Sequence, residues 1–263
     1  MLRSIKRIVR RSLEKTTFGY IAMLKRDHDL SGSPGQPDAP WHNAVLQTAA
    51  ELDAAVQQVT RLALPPVRRL AKNWDTLGAL DCILRNTGKD ARILDASFDA
   101  GTEVYARILP WLCMYGYRNL EGINLGLKKP RRMGPITYKF GDIQRTDYPA
   151  EYFDAIACLS AIHHVKDMSA YFREMSRIMK PGGILVISTD YWETGVDTQG
   201  KEMFGVPIHV LNRQEITEAL ATAQRNSFVP TGPLDLSCTQ KAVHWSELDL
   251  DFTYVIFALR KSG

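Results

Sequence analysis

The sequence predicts an α/β fold: a doubly wound, mostly parallel sheet with an antiparallel C-terminal strand, preceded by a helical N-terminal extension. Three observations carry this prediction. From Ala91 onward, short apolar runs alternate with amphipathic stretches, the pattern of parallel strands joined by crossover helices. Before Ala91, apolar residues recur only at helical spacing. The chain closes on DFTYVIFALRK (251–261), a β-branched and aromatic run preceded by KAVHW (241–245), which together read as a hairpin.

Taken in order, residues 2–26 place Leu2, Ile5, Val9, Leu13, Tyr20 and Leu24 on one helical face, with Arg3, Lys6, Arg7, Arg10 and Arg11 on the rest. Such a basic amphipathic helix suits an anionic membrane surface, or docks on its own domain with solvated arginines outside. LSGSPGQPDAP (30–40) is a linker, since its three prolines break any helix. Ala44, Val45, Ala49, Leu52, Val56 and Val59 predict a second helix up to Pro65-Pro66, and Leu70, Trp74, Leu77, Leu80 and Leu84 a third over 67–86. The expected organisation is a basic helix over 1–29, the linker over 30–40, a helical segment over 41–88 and the α/β domain over 89–263.

Within that domain the predicted strands are 91–96, 119–125, 136–142, 153–160 and 183–191, with helices over 102–115, 168–180 and 212–226. The last of these has Asn212 at its N-cap and Glu215 three residues on, a capping box.

Composition narrows the function classes. Of 33 Lys/Arg and 29 Asp/Glu, residues 1–26 hold eight basic and one acidic residue, so the remaining 25 basic and 28 acidic residues leave a body of −3. An acidic body argues against nucleic acid as a partner, and KKPRR (128–132) reads as a surface run. Four separated cysteines, none in a CxxC pair, predict neither disulfides nor a zinc site, with Cys82 and Cys158 as core residues. No run approaches the ~20 apolar residues of a membrane span, and charges interrupt the N-terminus too often for a secretory signal. The expected location is cytoplasmic, peripheral at a membrane through residues 1–26.

Ligands of such sheets bind beyond the carboxyl ends of the strands. Those ends carry Asp95, Asn124, Asp142, Leu159-Ser160 and Asp190-Tyr191-Trp192. Here GDIQRTDYPAEYFDAIACLSAIHHV and YFREMSRIMKPGGILVISTDYW resemble the class I S-adenosylmethionine-dependent methyltransferases, in their small-molecule branch. The resemblance spans about residues 70–261 and implies a Rossmann-like, seven-stranded sheet that binds S-adenosylmethionine. It places Asp142, with Ile143, at the adenine; Phe153-Asp154 at the opening of strand four; Leu159, His163 and His164 at its end; and Arg177 to Gly183 before strand five. The family loop D/E-x-G-x-G-x-G aligns as Asp95, Ser97, Asp99 and Gly101, and Asn124 stands where an acidic residue usually takes the ribose hydroxyls.

Two departures follow. Ser97 and Asp99 replace glycines, and Asn124 is neutral where the family carries a charge. The altered loop leaves three readings: an active methyltransferase, a methyltransferase-fold scaffold without activity, or a binder of another nucleotide or nucleotide-sugar. The first is preferred because Asp95, Gly101 and Asp142 retain binding chemistry. For catalysis, His163 is the expected base and His164 a cofactor contact. The long segment after strand five supplies Tyr191, Trp192, Asp197 and His209, expected to build an acceptor site for a small polar molecule such as a sugar or glycolipid hydroxyl. No metal is expected, as no HxH-like spacing occurs.

Overall fold

A computed structural model of the protein describes residues 15–38, 41–97, 104, 106–203 and 206–263. Residues 1–14 of the expected basic helix lie outside these residues, as do Asp99 and Gly101. The described part of that helix, α1 (Thr17–Asp27), is capped by Thr16, whose Oγ1 accepts from Gly19 N at 3.1 Å. It buries Tyr20 and Leu24 in the main core, so this stretch docks on its own domain.

The second expected helix begins later than its periodicity implies. Ala44–Val45 form a short strand, β1, and helix α2 runs Ala49–Arg61. Apolar spacing alone cannot separate a two-residue edge strand from a first helical turn. The third helix is a 3-10 turn, Leu70–Lys72, leading into α3 (Asn73–Asn86). Asn73 fixes this junction: its Oδ1 accepts from Val67 N at 2.9 Å and its Nδ2 donates to Leu70 O at 2.8 Å.

The α/β part follows as β2 (Arg92–Asp95), α4 (Ile108–Met114), β3 (Asn119–Asn124), β4 (Arg131–Met133), β5 (Ile136–Phe140), β6 (Phe153–Leu159), α5 (Met168–Ile178) and β7 (Met179–Tyr191). Then come the hairpin β8 (Glu202–Met203) and β9 (Val206–Pro207), α6 (Arg213–Arg225), β10 (Phe228–Pro230), β11 (Val243–Trp245) and β12 (Leu250–Lys261). The main sheet is ordered β1-β12-β7-β6-β2-β3-β5-β4. Strands β5, β3, β2, β6 and β7 are mutually parallel, and β12 is antiparallel to β7 from Ile184↔Arg260 to Tyr191↔Thr253.

The expected seven-stranded, mostly parallel sheet is therefore present, with β10 as its seventh member, and three short strands extend it. One is β4, which overlaps the expected surface run and leaves Arg131 and Arg132 exposed. Three of the short strands, β11, β1 and β10, share the far edge of the long β12. The predicted hairpin of β11 with β12 forms.

Two motif positions are structural. Asp154 accepts from Arg92 N at 2.8 Å and from Lys180 Nζ at 2.8 Å, strapping β6 to the starts of β2 and β7. The expected turn before strand five is a bulge inside β7: pairing with β6 skips between Phe153 and Ala155, and Gly182 takes φ +75°, a conformation glycine adopts without Cβ strain.

The chain leaves β2 toward β3 and β5 on one side and places β6 and β7 on the other, so the order reverses between β2 and β6. Apolar cores fill both faces, one under α3 and α4 and one under α5 and α6.

Candidate active site at the strand ends

The crevice between β2 and β6 is closed by a serine. Ser97 is buried, its N donates to Asp95 Oδ1 at 3.0 Å, and its Oγ accepts from Leu159 N at 3.1 Å. The hydroxyl thus faces inward onto β6. Leu159 is itself fully buried and serves here through its backbone.

The same device recurs on the neighbouring strands. Asn124 Oδ1 accepts from Gly126 N at 2.6 Å, and Asp142 Oδ1 from Gln144 N at 2.9 Å. Three adjacent strands therefore end in side-chain-closed turns of the Asx type, each accepting from the amide two residues on. Each carboxylate or carboxamide oxygen is an acceptor with two lone pairs. The result is a row of acceptors along β2, β3 and β5.

The loop bearing Asp142 is held from behind. Glu174 Oε1 accepts from Thr146 N at 2.7 Å and from Thr146 Oγ1 at 2.5 Å, while Arg177 donates to Glu174 and, at 2.8 Å, to Tyr148 O. Gln144 Oε1 accepts from Asp167 N at 2.9 Å, and Asp167 in turn caps α5. Ile143 packs on the α5-side core.

After β6, Ser160 takes φ +51° and is buried, and its Oγ meets no partner among the described residues. A non-glycine residue in this region is a strained position of the kind found at functional sites. His163 and His164 follow in a 3-10 turn with ring centroids 4.2 Å apart. His163 Nδ1 lies 2.8 Å from Thr189 Oγ1 on β7. Burial first, then the Lys72 charge, pushes the His163 imidazole down to about 3; burial and His163 push His164 down to about 4. Both rings are neutral at pH 7, and a ring that holds a proton so poorly is a weak base.

Sequence reasoning missed a buried charged group beside this turn. Lys72 is 1% exposed and Asp75 0%, and they form an ion pair. Ser188 Oγ on β7 donates to Asp75 Oδ2 at 2.5 Å, and Lys72 Nζ sits 4.0 Å above the Tyr254 ring. Asp75 Oδ1 has no partner among the described residues. Burial raises the Asp75 carboxyl, against the lowering effect of Lys72 and Ser188. Asp190, paired in register with Tyr254, is 6% exposed; burial pushes it up to about 6, opposed by Lys72, His164 and Arg69. The available signal was Asp75 alone inside the apolar run WDTLGAL.

The four residues expected to line an acceptor site sit in different surroundings, with His209 within electrostatic reach of His163 and His164. Tyr191 is buried and donates its hydroxyl to Leu236 O at 2.7 Å. Asp197 is exposed and closes a turn onto Gln199 N at 2.9 Å. His209 is exposed, with Nε2 2.7 Å from Glu215 Oε1. Only Trp192, half-buried beside Lys241, packs against the aromatic patch of Trp245 and Phe252. Among the described residues no group of His, Cys, Asp or Glu is placed to hold a metal ion.

Fold and strand ends together define an α/β protein whose polar side chains gather at the switch point of a parallel sheet. Residues 119–187 match the model of the methyltransferase domain family. It is 22% identical over 116 residues to the sterol 24-C-methyltransferase erg6 of Aspergillus fumigatus, covering 42% of this chain and 31% of that protein. It is 44% identical over 65 residues to the ubiquinone/menaquinone biosynthesis C-methyltransferase UbiE of Caulobacter vibrioides, 25% of each. The matches thus span about a third or less of these curated relatives. A solved structure, geranyl diphosphate C-methyltransferase from Streptomyces coelicolor A3(2), is 17% identical, with 92% of this chain and 98% of that chain covered at a TM-score of 0.48.

Proposed function

We propose that the protein transfers a methyl group from S-adenosylmethionine to a small-molecule acceptor. The observation that carries this is the acceptor row at the strand ends. Asp142 suits an adenine amino group, with Ile143 against the ring. Asn124 Oδ1 suits a ribose hydroxyl. Asp95, with Asp99 and Gly101 beyond it, suits the ammonium end of the methionine part. Ser97, although larger than glycine, is buried onto Leu159 N and does not stand in the crevice, which supports a working loop. When bound, S-adenosylmethionine supplies the electrophilic methyl group; the protein positions the acceptor against it.

The acceptor side is the ends of β6 and β7, with His163 and His164 as neutral hydrogen-bonding groups. A polar hydroxyl acceptor, such as that of a sugar or glycolipid, fits these groups, and Trp192 supplies an apolar wall. The basic face of residues 1–26 would hold the protein at an anionic membrane surface, giving access to a lipid-linked acceptor. Flotation with anionic liposomes, with and without residues 1–26, tests that part; equal behaviour of the two forms removes it.

The test of the main reading is thermal unfolding with S-adenosylmethionine or S-adenosylhomocysteine. At 100-fold excess over the dissociation constant, stabilisation should reach about 2.7 kcal/mol. No shift at millimolar concentration overturns the reading in favour of an inactive scaffold, and a shift with a nucleotide-sugar alone points to a different ligand. Asp99→Gly then separates the roles of that aspartate: tighter binding marks it as an obstruction, and lost binding as a ligand.

A further inference from the structure

At the strand ends, carboxylates and carboxamides divide into two kinds. Asp95, Asn124 and Asp142 are each closed onto their own turn. Asp190, at the end of β7, is not. Only 6% of it is exposed, yet no hydrogen bond reaches its carboxylate among the described residues, and its oxygens are not sealed from solvent. A buried carboxylate left without a donor costs stability unless a ligand supplies one.

Its surroundings are charged and fixed. Asp190 shares a sheet face with Ser188 and Tyr254, by the alternation of strand side chains. Across that face α3 and its preceding turn bring Lys72 and Asp75, bonded to each other and to Ser188. Arg69 lies on the outer side, held by Glu247 at 2.7 Å and lying 4.8 Å from the centroid of the Trp245 ring. His164 approaches from the end of β6. Lys72 is committed to Asp75, so Lys72, Asp75 and Asp190 together carry one uncompensated negative charge, and Asp190 bears it at the edge of the crevice.

We propose that Asp190 is a catalytic residue that takes the proton from the acceptor hydroxyl, with Lys72 and Asp75 as positioning residues that hold it there. This rests on the methyl-transfer reading. As the acceptor O–H bond breaks, its proton passes to a carboxylate oxygen of Asp190. The acceptor oxygen forms its new bond to the methyl carbon, and the electron pair of the broken C–S bond remains on sulfur. The proton then leaves Asp190 for solvent. The carboxyl's upward displacement to about 6 suits a group that must take and release a proton near neutrality, which the low-affinity imidazole of His163 does not.

The experiment uses the full chain, wild type, Asp190→Asn and Asp190→Glu, with circular dichroism confirming that each is folded. S-adenosylhomocysteine is titrated first by calorimetry; affinities of wild type and variants should agree within twofold. A chromogenic hydroxyl probe, 4-nitrocatechol, is then titrated with and without S-adenosylhomocysteine while its visible spectrum is recorded. Wild type should shift the bound probe toward its ionised band. Asp190→Asn should abolish that shift or weaken probe binding at least tenfold, and Asp190→Glu should restore part of it. A wild-type protein that leaves the probe in its protonated band, or an Asp190→Asn variant that matches wild type, overturns the proposal. Failure of wild type to bind S-adenosylhomocysteine overturns the methyl-transfer reading instead, and the probe titration without it still reports on Asp190.

Discussion

Ser97 and Leu159 are joined across the switch point of the sheet, the hydroxyl of one accepting from the backbone N–H of the other at 3.1 Å. The bond spans the end of β2 and the end of β6, which bound the ligand crevice. It explains why a residue larger than glycine is accommodated at 97: the side chain replaces a missing backbone partner inside the protein. Ser97→Ala removes the acceptor and leaves a buried amide unsatisfied, which should cost about 1–3 kcal/mol. Ser97→Gly should lose the same bond. Urea unfolding of both variants checks this, and wild-type stability in either would show that the bond contributes nothing.

The pair formed by Lys72 and Asp75 makes a second prediction. Lys72→Met strands a fully buried carboxylate and should destabilise by about 3–5 kcal/mol. Adding Asp75→Asn should recover much of that, because the remaining groups are then neutral. A double-mutant cycle in guanidinium chloride measures the coupling, and additive losses would show that the two residues act independently.

Asp190 gives the third. Its folded carboxyl titrates at about 6, above its ordinary value of 3.8. The folded state therefore binds a proton that the unfolded state has already released. The contribution is complete below pH 4 and is lost as pH rises through 6. Asp190→Asn should be close to wild type at pH 4 and more stable by on the order of 2 kcal/mol at pH 8. Melting temperatures across that range check the sign, and a variant less stable than wild type at pH 8 would contradict it.

The two histidines run the other way. Their folded values, about 3 for His163 and about 4 for His164, lie below the ordinary 6.5. Stability from them is present above pH 6.5 and is lost as pH falls toward 4 and then 3, at a slope of at most about 1.4 kcal/mol per pH unit for each ring. His163→Gln should flatten this acid limb. An unchanged limb in equilibrium unfolding between pH 6.5 and 4 would refute the assignment.

Helix α6 offers a test of its N-terminal cap. Asn212 Oδ1 accepts from Glu215 N at 3.0 Å, and Glu215 Oε2 from Asn212 N at 2.8 Å. Asn212→Ala should cost about 0.5–2 kcal/mol without altering S-adenosylhomocysteine binding, read by calorimetry. Glu215 also holds His209, so Glu215→Ala should release that ring as well.

The sequence by itself determined the parts governed by local physics. Strand–helix alternation gave β2, β3, β5, β6 and β7; the spacing of Asn212 and Glu215 gave the capping box; the closing aromatic run gave β12 and its hairpin. The positions of Asp95, Asn124 and Asp142 were legible too, since an Asx residue at a strand end closes its turn with its own backbone.

Contacts distant in the chain were decided only by the tertiary structure. Ala44 and Val45 became a strand because β12, more than 200 residues later, offered an open edge. Tyr191 was turned inward by the carbonyl of Leu236. Lys72 and Asp75, polar residues at a helix start, look solvated in the sequence and become buried when α3 packs against β7. Burial is a property of what covers a residue, and covering elements come from anywhere in the chain. The burial that gives Asp190 its displaced titration, and keeps His163 neutral, is therefore not written in the neighbours of either.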